Sequence, residues 1–220
     1  MSGGVSCGRG NSMIGKLCVC MAAFVCAAAA AGGSALAGTT GATTTACGPV
    51  LFEQPFLPWL DPAAYVLAPD GAFEQGGAGW KLSGGAKAVS GSETYGVHNP
   101  NDALSLSLPS GSTATTPSMC IGLDAPTARF FAVNTGSVLS TLRVEVIHRN
   151  LLGLTVTTPV GVVTGGSSWQ PTLPLPVLAN VLSLNVVANR TTQVSFRFTP
   201  LGSSSGWKID DLYVDPFKGS

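Results

Sequence analysis

The chain has 220 residues, with 11 Lys plus Arg against 11 Asp plus Glu, and only 10% of its residues are charged. It contains no basic stripe to track phosphates and no basic amphipathic helix to lie on a membrane, which disfavours nucleic-acid and membrane-surface roles. No Gly-x-Ser-x-Gly elbow, His-Glu-x-x-His helix or Gly-Lys-Ser/Thr loop supplies a recognised catalytic frame, and only His98 and His148 carry an imidazole.

Residues 1–37 read as a secretory signal peptide. Arg9 and Lys16 form a positive flank, Leu17 to Ala31 is almost unbroken apolar sequence, and Ala35-Leu36-Ala37 is a small-x-small cleavage site before Gly38. The apolar run is short for a membrane span, which needs about 20 residues. Met13 is an alternative start, since Lys16 alone would serve as the charged flank. Thr44-Thr45-Ala46 before Cys47 lacks the apolar residue of a lipoprotein signal. Removal of this leader tips the charge slightly negative and leaves two cysteines, Cys47 and Cys120. An oxidising compartment makes a disulfide between them the default, with two buried free thiols as the alternative. The long loop it closes would contribute about 4 kcal/mol through chain entropy, less any strain. Two lone cysteines without nearby histidines make a poor zinc site.

Residues 38–50 are a Gly/Thr/Ala stretch without periodicity, expected to be a flexible leader. Residues 51–220 are expected to form one domain. Pro55, Pro58 and Pro62 break any helix in its opening segment, and a strand is expected near Ala64 to Leu67. Beyond that the pattern has period two. Leu104, Leu106 and Leu108 alternate with serines, and Leu142, Val144 and Val146 with Arg143 and Glu145. Leu182, Leu184 and Val186 alternate with Ser183 and Asn185, and Val194, Phe196 and Phe198 with Ser195 and Arg197. Such segments have one dry and one wet face, as antiparallel sheets around a single core do. Gly, Pro, Asn and Ser clusters separate them at short intervals. The fold class is therefore all-β, an antiparallel two-sheet β-sandwich or jelly roll.

A frame at the two ends sharpens this. Phe73-Glu74-Gln75-Gly76-Gly77-Ala78-Gly79-Trp80 and the glycine-rich Gly84 to Val89 resemble the opening of galactose-binding-like jelly rolls, a group that includes many carbohydrate-binding modules. Ile209-Asp210-Asp211-Leu212 resembles their closing strand, and Trp169 before Gln170-Pro171 the tryptophan that opens a late one. The closing phrase from Trp207 to Pro216 is also similar to that of secreted proteins of uncharacterised function. The resemblance implies a sandwich whose first and last strands meet. It also implies a structural calcium held by Glu74 and Asp210, with backbone carbonyls completing an oxygen shell. The alternation itself places Asp210 on one face with Leu212 and Val214. If those two face the core, Asp210 points inward and needs a partner: calcium, loop N–H groups or an arginine.

Sugar recognition needs an aromatic platform beside planar hydrogen-bonding groups. Trp80, Trp169 and Trp207 belong to the frame and read as packing. Trp59, in the opening segment, is the freer tryptophan, either a platform or a plug over one end of the sandwich. The richest polar segment, Glu93 to Asp102, joins two expected strands, and its Tyr95, His98, Asn99, Asn101 and Asp102 are the candidate ligand-binding residues, with ordinary turn chemistry as the competing reading. Two functions follow as expectations. One is a secreted, non-catalytic module binding glycan at a cell surface or wall. The other is an exported structural or protein-interaction domain with no sugar site.

Overall fold

A computed structural model describes residues 50–122, 126–150, 152–177 and 191–216. The expected signal peptide, most of the leader, Cys47 and the alternating segment from Leu182 to Val186 lie outside the described residues. Among the described residues no helix is long and apolar enough to cross a membrane.

Two antiparallel sheets face each other. The first runs in the order Gln170–Pro171 (β10), Thr127–Asn134 (β7), Gly206–Asp215 (β13), Leu104–Pro109 (β4) and Lys87–Ser90 (β3), with Val66–Leu67 (β1) pairing β13 and Leu175–Pro176 (β11) pairing β7. The second runs Lys81–Ser83 (β2), Thr113–Thr115 (β5), Thr191–Leu201 (β12), Thr141–Arg149 (β8) and Thr155–Val163 (β9), with Met119–Gly122 (β6) also on β12. The chain passes between the sheets several times, so neighbouring strands come from distant sequence. β13, the last strand, lies between β7 and β4 and also receives β1, so the two ends of the domain meet in one sheet.

The period-two residues face inward as expected. Leu106 and Leu108 from one sheet meet Leu142, Val144, Val146, Val194, Phe196 and Phe198 from the other, all fully buried. Phe130 packs edge-on against Phe198 at 5.2 Å, and Trp80 stacks on Phe198 at 6.0 Å. Trp207 is buried and donates its indole N–H to Ser140 Oγ at 2.7 Å, and that of Trp80 reaches Pro69 O at 2.9 Å, so these two of the three frame tryptophans are packing residues with satisfied donors. The expectation that no Gly-x-Ser-x-Gly occurs needs correction, since Gly202 to Gly206 has that spacing, as does Gly4 to Gly8 outside the described residues. Gly202 to Gly206 forms the turn between β12 and β13 and opens no helix, so it is no nucleophile elbow.

A second, smaller aromatic cluster lies on the outer face of the first sheet. Phe56, Tyr65, Phe131 and Tyr213 are fully buried there, with Trp59, Val97 and Trp169 packed around them. The opening segment supplies the cover. Its prolines exclude a long helix, but Leu57–Trp59 makes one 3-10 turn with proline in the first turn, ended by Leu60 in the left-handed region. Glu53 bridges Tyr65 through reciprocal backbone hydrogen bonds of 2.8 Å, which closes the segment into a hairpin-like loop. Arg129 reaches out from β7 beneath it, 2.6 Å from Asp61 and 4.2 Å above the Phe56 ring.

Candidate functional site

The site follows from one irregularity in β13. Asp210 pairs with Phe131 and Tyr213 with Arg129, so two residues, Asp211 and Leu212, stand opposite one on β7. Asp211 takes φ 47°, the left-handed conformation that a bulge of this type needs and that Asp adopts more readily than most residues. The bulge resets the alternation. Ile209 and Leu212 both reach the main core, whereas Asp210 shares the outer face with Phe131. The expectation that Asp210 lies on the same face as Leu212 and Val214 is therefore overturned, because simple alternation does not survive an inserted residue.

Asp210 is nonetheless fully buried, covered by the segment that follows β3. Its Oδ2 accepts from Ser92 Oγ and from the Glu93 backbone N–H, each at 2.8 Å, and its Oδ1 accepts from the Asp211 N–H at 2.9 Å. Of the partners foreseen for it, these are the loop N–H groups. Burial, and then the neighbouring Asp211 charge, push its pKa up to about 8 against those hydrogen bonds. Burial likewise raises Asp211 to about 7, opposed by the His98 N–H and reinforced by the charges of Glu93 and Asp102. Glu74 serves a different stretch of backbone: its Oε1 accepts from Ala103 N at 2.9 Å and Leu104 N at 2.8 Å. The two residues expected to share a calcium thus spend oxygens on separate segments.

Glu93 organises the loop from within. Its carboxylate accepts the N–H groups of Tyr95 and Val97, the latter at 2.7 Å, and curls the chain so that Tyr95 projects outward. Gly96 sits at φ 63°, where an added Cβ would lie 3.0 Å from Pro100 Cα, so the turn has room only for glycine.

The candidate residues of this loop separate into three groups. Tyr95 faces an open cleft of about 480 Å³ with Gln54, Pro55, Pro58, Trp59, Gly96 and Val97. It is 44% exposed, and its ring meets Trp59 edge-on at 5.1 Å. Its hydroxyl donates to Trp169 O at 3.0 Å and accepts from Gln170 Nε2 at 3.3 Å. Trp59 is half-buried and braced on Phe131 at 5.3 Å, at once a wall of the cleft and part of the cover. Asn99 and Asn101 belong to the turn, since Asn99 Oδ1 accepts the Asn101 N–H at 3.0 Å. His98 and Asp102 point elsewhere. His98 Nδ1 lies 2.6 Å from Asp102 Oδ2, and the His98 N–H donates to Asp211 Oδ2 at 3.2 Å. Burial lowers the His98 pKa, but the Asp102 hydrogen bond and nearby carboxylates outweigh it and leave it raised.

Three participants do not stand out as site residues in the sequence. Gln54 and Gln170 arrive from segments far apart in the chain, and by sequence Asp211 reads as a residue of the closing strand. The Asp-Asp doublet was the one available hint, through the tolerance of Asp for the left-handed region.

No protein-family model matches the chain, and no curated protein matches its sequence. Solved structures with a similar layout include carbohydrate-binding modules and the enzymatically active domain of a bacteriophage CBA120 tailspike protein. The family 61 module TmCBM61, solved with β-1,4-galactotriose, is 13% identical with a TM-score of 0.41, covering 67% of this chain and 96% of that one. The CBM22-1 xylan-binding domain of Paenibacillus barcinonensis Xyn10C is 15% identical with a TM-score of 0.46, covering 68% and 94%. The CBM22-1–GH10 modules of Clostridium thermocellum xylanase 10B, complexed with xylohexaose, give 14% and 0.48, covering 68% and 28%. Values at this level transfer neither ligand nor activity, and the two-sheet architecture rests on the strand pairing of the chain itself.

Proposed function

We propose that this chain is a secreted, non-catalytic module that binds a glycan in the cleft between Trp59 and Tyr95. The observation that carries the reading is the exposed Tyr95 ring, held edge-on by Trp59, in a cleft also lined by Gln54. A pyranose ring presents apolar C–H faces and a rim of hydroxyls, so it suits an aromatic surface with planar amides beside it. The cleft volume falls within the usual range for small-ligand sites, about 300–1,000 Å³. Tyr95 needs little ordering on binding, because Glu93 fixes the loop and Gln170 and Trp169 hold the hydroxyl. The leader at residues 1–37 supports export, to the surface or wall where glycans are met.

A second reading is an exported interaction or structural domain without a sugar site. It is favoured by the Tyr95 hydroxyl already being engaged with the strand segment at Trp169 and Gln170. Affinity electrophoresis of the exported chain in gels containing soluble xylan, mixed-linkage glucan or galactan separates the two. Retardation by at least one polysaccharide, relieved in Tyr95→Ala, is expected. Unretarded migration in all of them favours the interaction domain.

A further inference from the structure

His98, Asp102 and Asp211 converge behind the glycan loop, outside the cleft. One side-chain nitrogen or oxygen from each lies within 4.8 Å of the other two. Ligands held at about 2.0–2.2 Å from a tetrahedral zinc stand about 3.3–3.6 Å apart, so an ion needs at most about 1.5 Å of closure between any two of them. The three residues sit on two elements, a loop and the bulge of β13, and the left-handed backbone of Asp211 aims its carboxylate at the loop.

A second observation points to a ligand. Asp211 is 2% exposed, and while its Oδ2 accepts the His98 N–H, its Oδ1 is buried with no hydrogen-bond partner among the described residues. A carboxylate oxygen withdrawn from water without a donor is costly, and native structures rarely leave one so. The surroundings deepen the demand for positive charge. Glu93 lies alongside and has no ion-pair partner among the described residues, and its charge and that of Asp102 both act on Asp211. His98 and Asp102 keep enough exposure, 32% and 10% of their side chains, to admit an ion from solvent.

We propose that His98, Asp102 and Asp211 form a binding site for a divalent transition-metal cation of the zinc class. An imidazole nitrogen selects such ions over the hard cations calcium and magnesium, which prefer all-oxygen shells. Three protein ligands leave a coordination position for water. On binding, the proton shared between His98 and Asp102 leaves to solvent, and both side chains turn their lone pairs to the ion. The ion fastens the loop carrying Tyr95 to β13 and satisfies Asp211 Oδ1. This site is independent of the glycan reading, since its occupancy is measured without any sugar.

The test uses the exported chain stripped with EDTA, dialysed, and titrated calorimetrically with zinc chloride, with calcium chloride in parallel. One zinc per chain is expected, with a rise in Tm of about 5–10 °C at a hundredfold excess over Kd. His98→Gln and Asp102→Asn should each weaken zinc binding at least tenfold, while Glu74→Gln leaves it unchanged. Asp211→Asn is less suitable alone because its site is buried. Circular dichroism confirms that the two loop variants remain folded. Absence of zinc binding overturns the proposal, as does zinc binding that both loop variants leave unchanged. Calcium bound in preference to zinc, and insensitive to His98→Gln, also overturns it.

Discussion

Asp210 and Asp211 are adjacent in sequence but serve different parts of the loop that covers them. Asp210 holds Ser92 and the Glu93 N–H, while Asp211, in the left-handed backbone of the bulge, holds the His98 N–H. The loop bearing Tyr95 is therefore anchored on either side of that tyrosine by consecutive residues of the final strand. The position of the cleft depends on that doublet.

Asp210→Asn should destabilise the fold by about 1–3 kcal/mol. The amide retains one acceptor oxygen but brings an N–H toward donors that need an acceptor. Urea unfolding measures the loss, and amide exchange should quicken first at Glu93. An unchanged midpoint would mean that the loop does not depend on this carboxylate.

His148 extends the buried stripe of β8, and neither ring nitrogen has a partner among the described residues. Burial lowers its pKa below the ordinary 6.5. The unfolded chain then binds the proton more readily, so stability is full above about pH 6.5 and is lost as pH falls toward the folded value. His148→Leu should remove that loss. Chemical unfolding at pH 5 and pH 8 should show the midpoint of the variant falling less, or rising more, on acidification than that of the parent; an equal change would contradict the assignment.

Asp61 pairs with Arg129, whose side chain is almost wholly buried. Burial pushes the Asp61 pKa up, but hydrogen bonds from Tyr65 and Arg129 prevail and leave it below the ordinary 3.8. Its contribution is present above that value and fades as pH falls through the lower folded one. Asp61→Ala should cost about 3 kcal/mol at pH 7, because it strands a buried guanidinium. The penalty read from thermal unfolding should shrink in strong acid.

The expected Cys47–Cys120 bridge gives a redox prediction. Cys120 lies in β6 opposite Gln193 of β12, so a bridge there would tie the leader to the second sheet. Cys47→Ser should lower Tm by roughly 10 °C in the oxidised protein. Reducing agent should do the same to the parent and nothing further to the variant.

The regular strands were legible from sequence because a pleated backbone converts alternation directly into faces, as Leu142, Val144 and Val146 show. That conversion failed at Asp210, where one inserted residue shifts every later side chain to the other face. Nothing in residue type forces a bulge at an Asp-Asp doublet, so only strand pairing reveals it. The polar loop around Tyr95 was visible as a cluster, but its division was not. Which of Tyr95, Asn99 and His98 faces cleft, turn or strand depends on what Glu93 and Asp211 hold in place. Gln54 and Gln170 were beyond reach for a simpler reason: the opening segment and β10 meet only after the sheet has formed.

The most direct test of the glycan reading is thermal unfolding of the exported chain and its Tyr95→Ala variant against a panel of soluble polysaccharides. At least one glycan should raise the parent Tm in proportion to its concentration, and the same glycan should leave Tyr95→Ala unmoved. A flat response of the parent to the whole panel, or an equal rise in the variant, would contradict glycan binding at the Trp59–Tyr95 cleft.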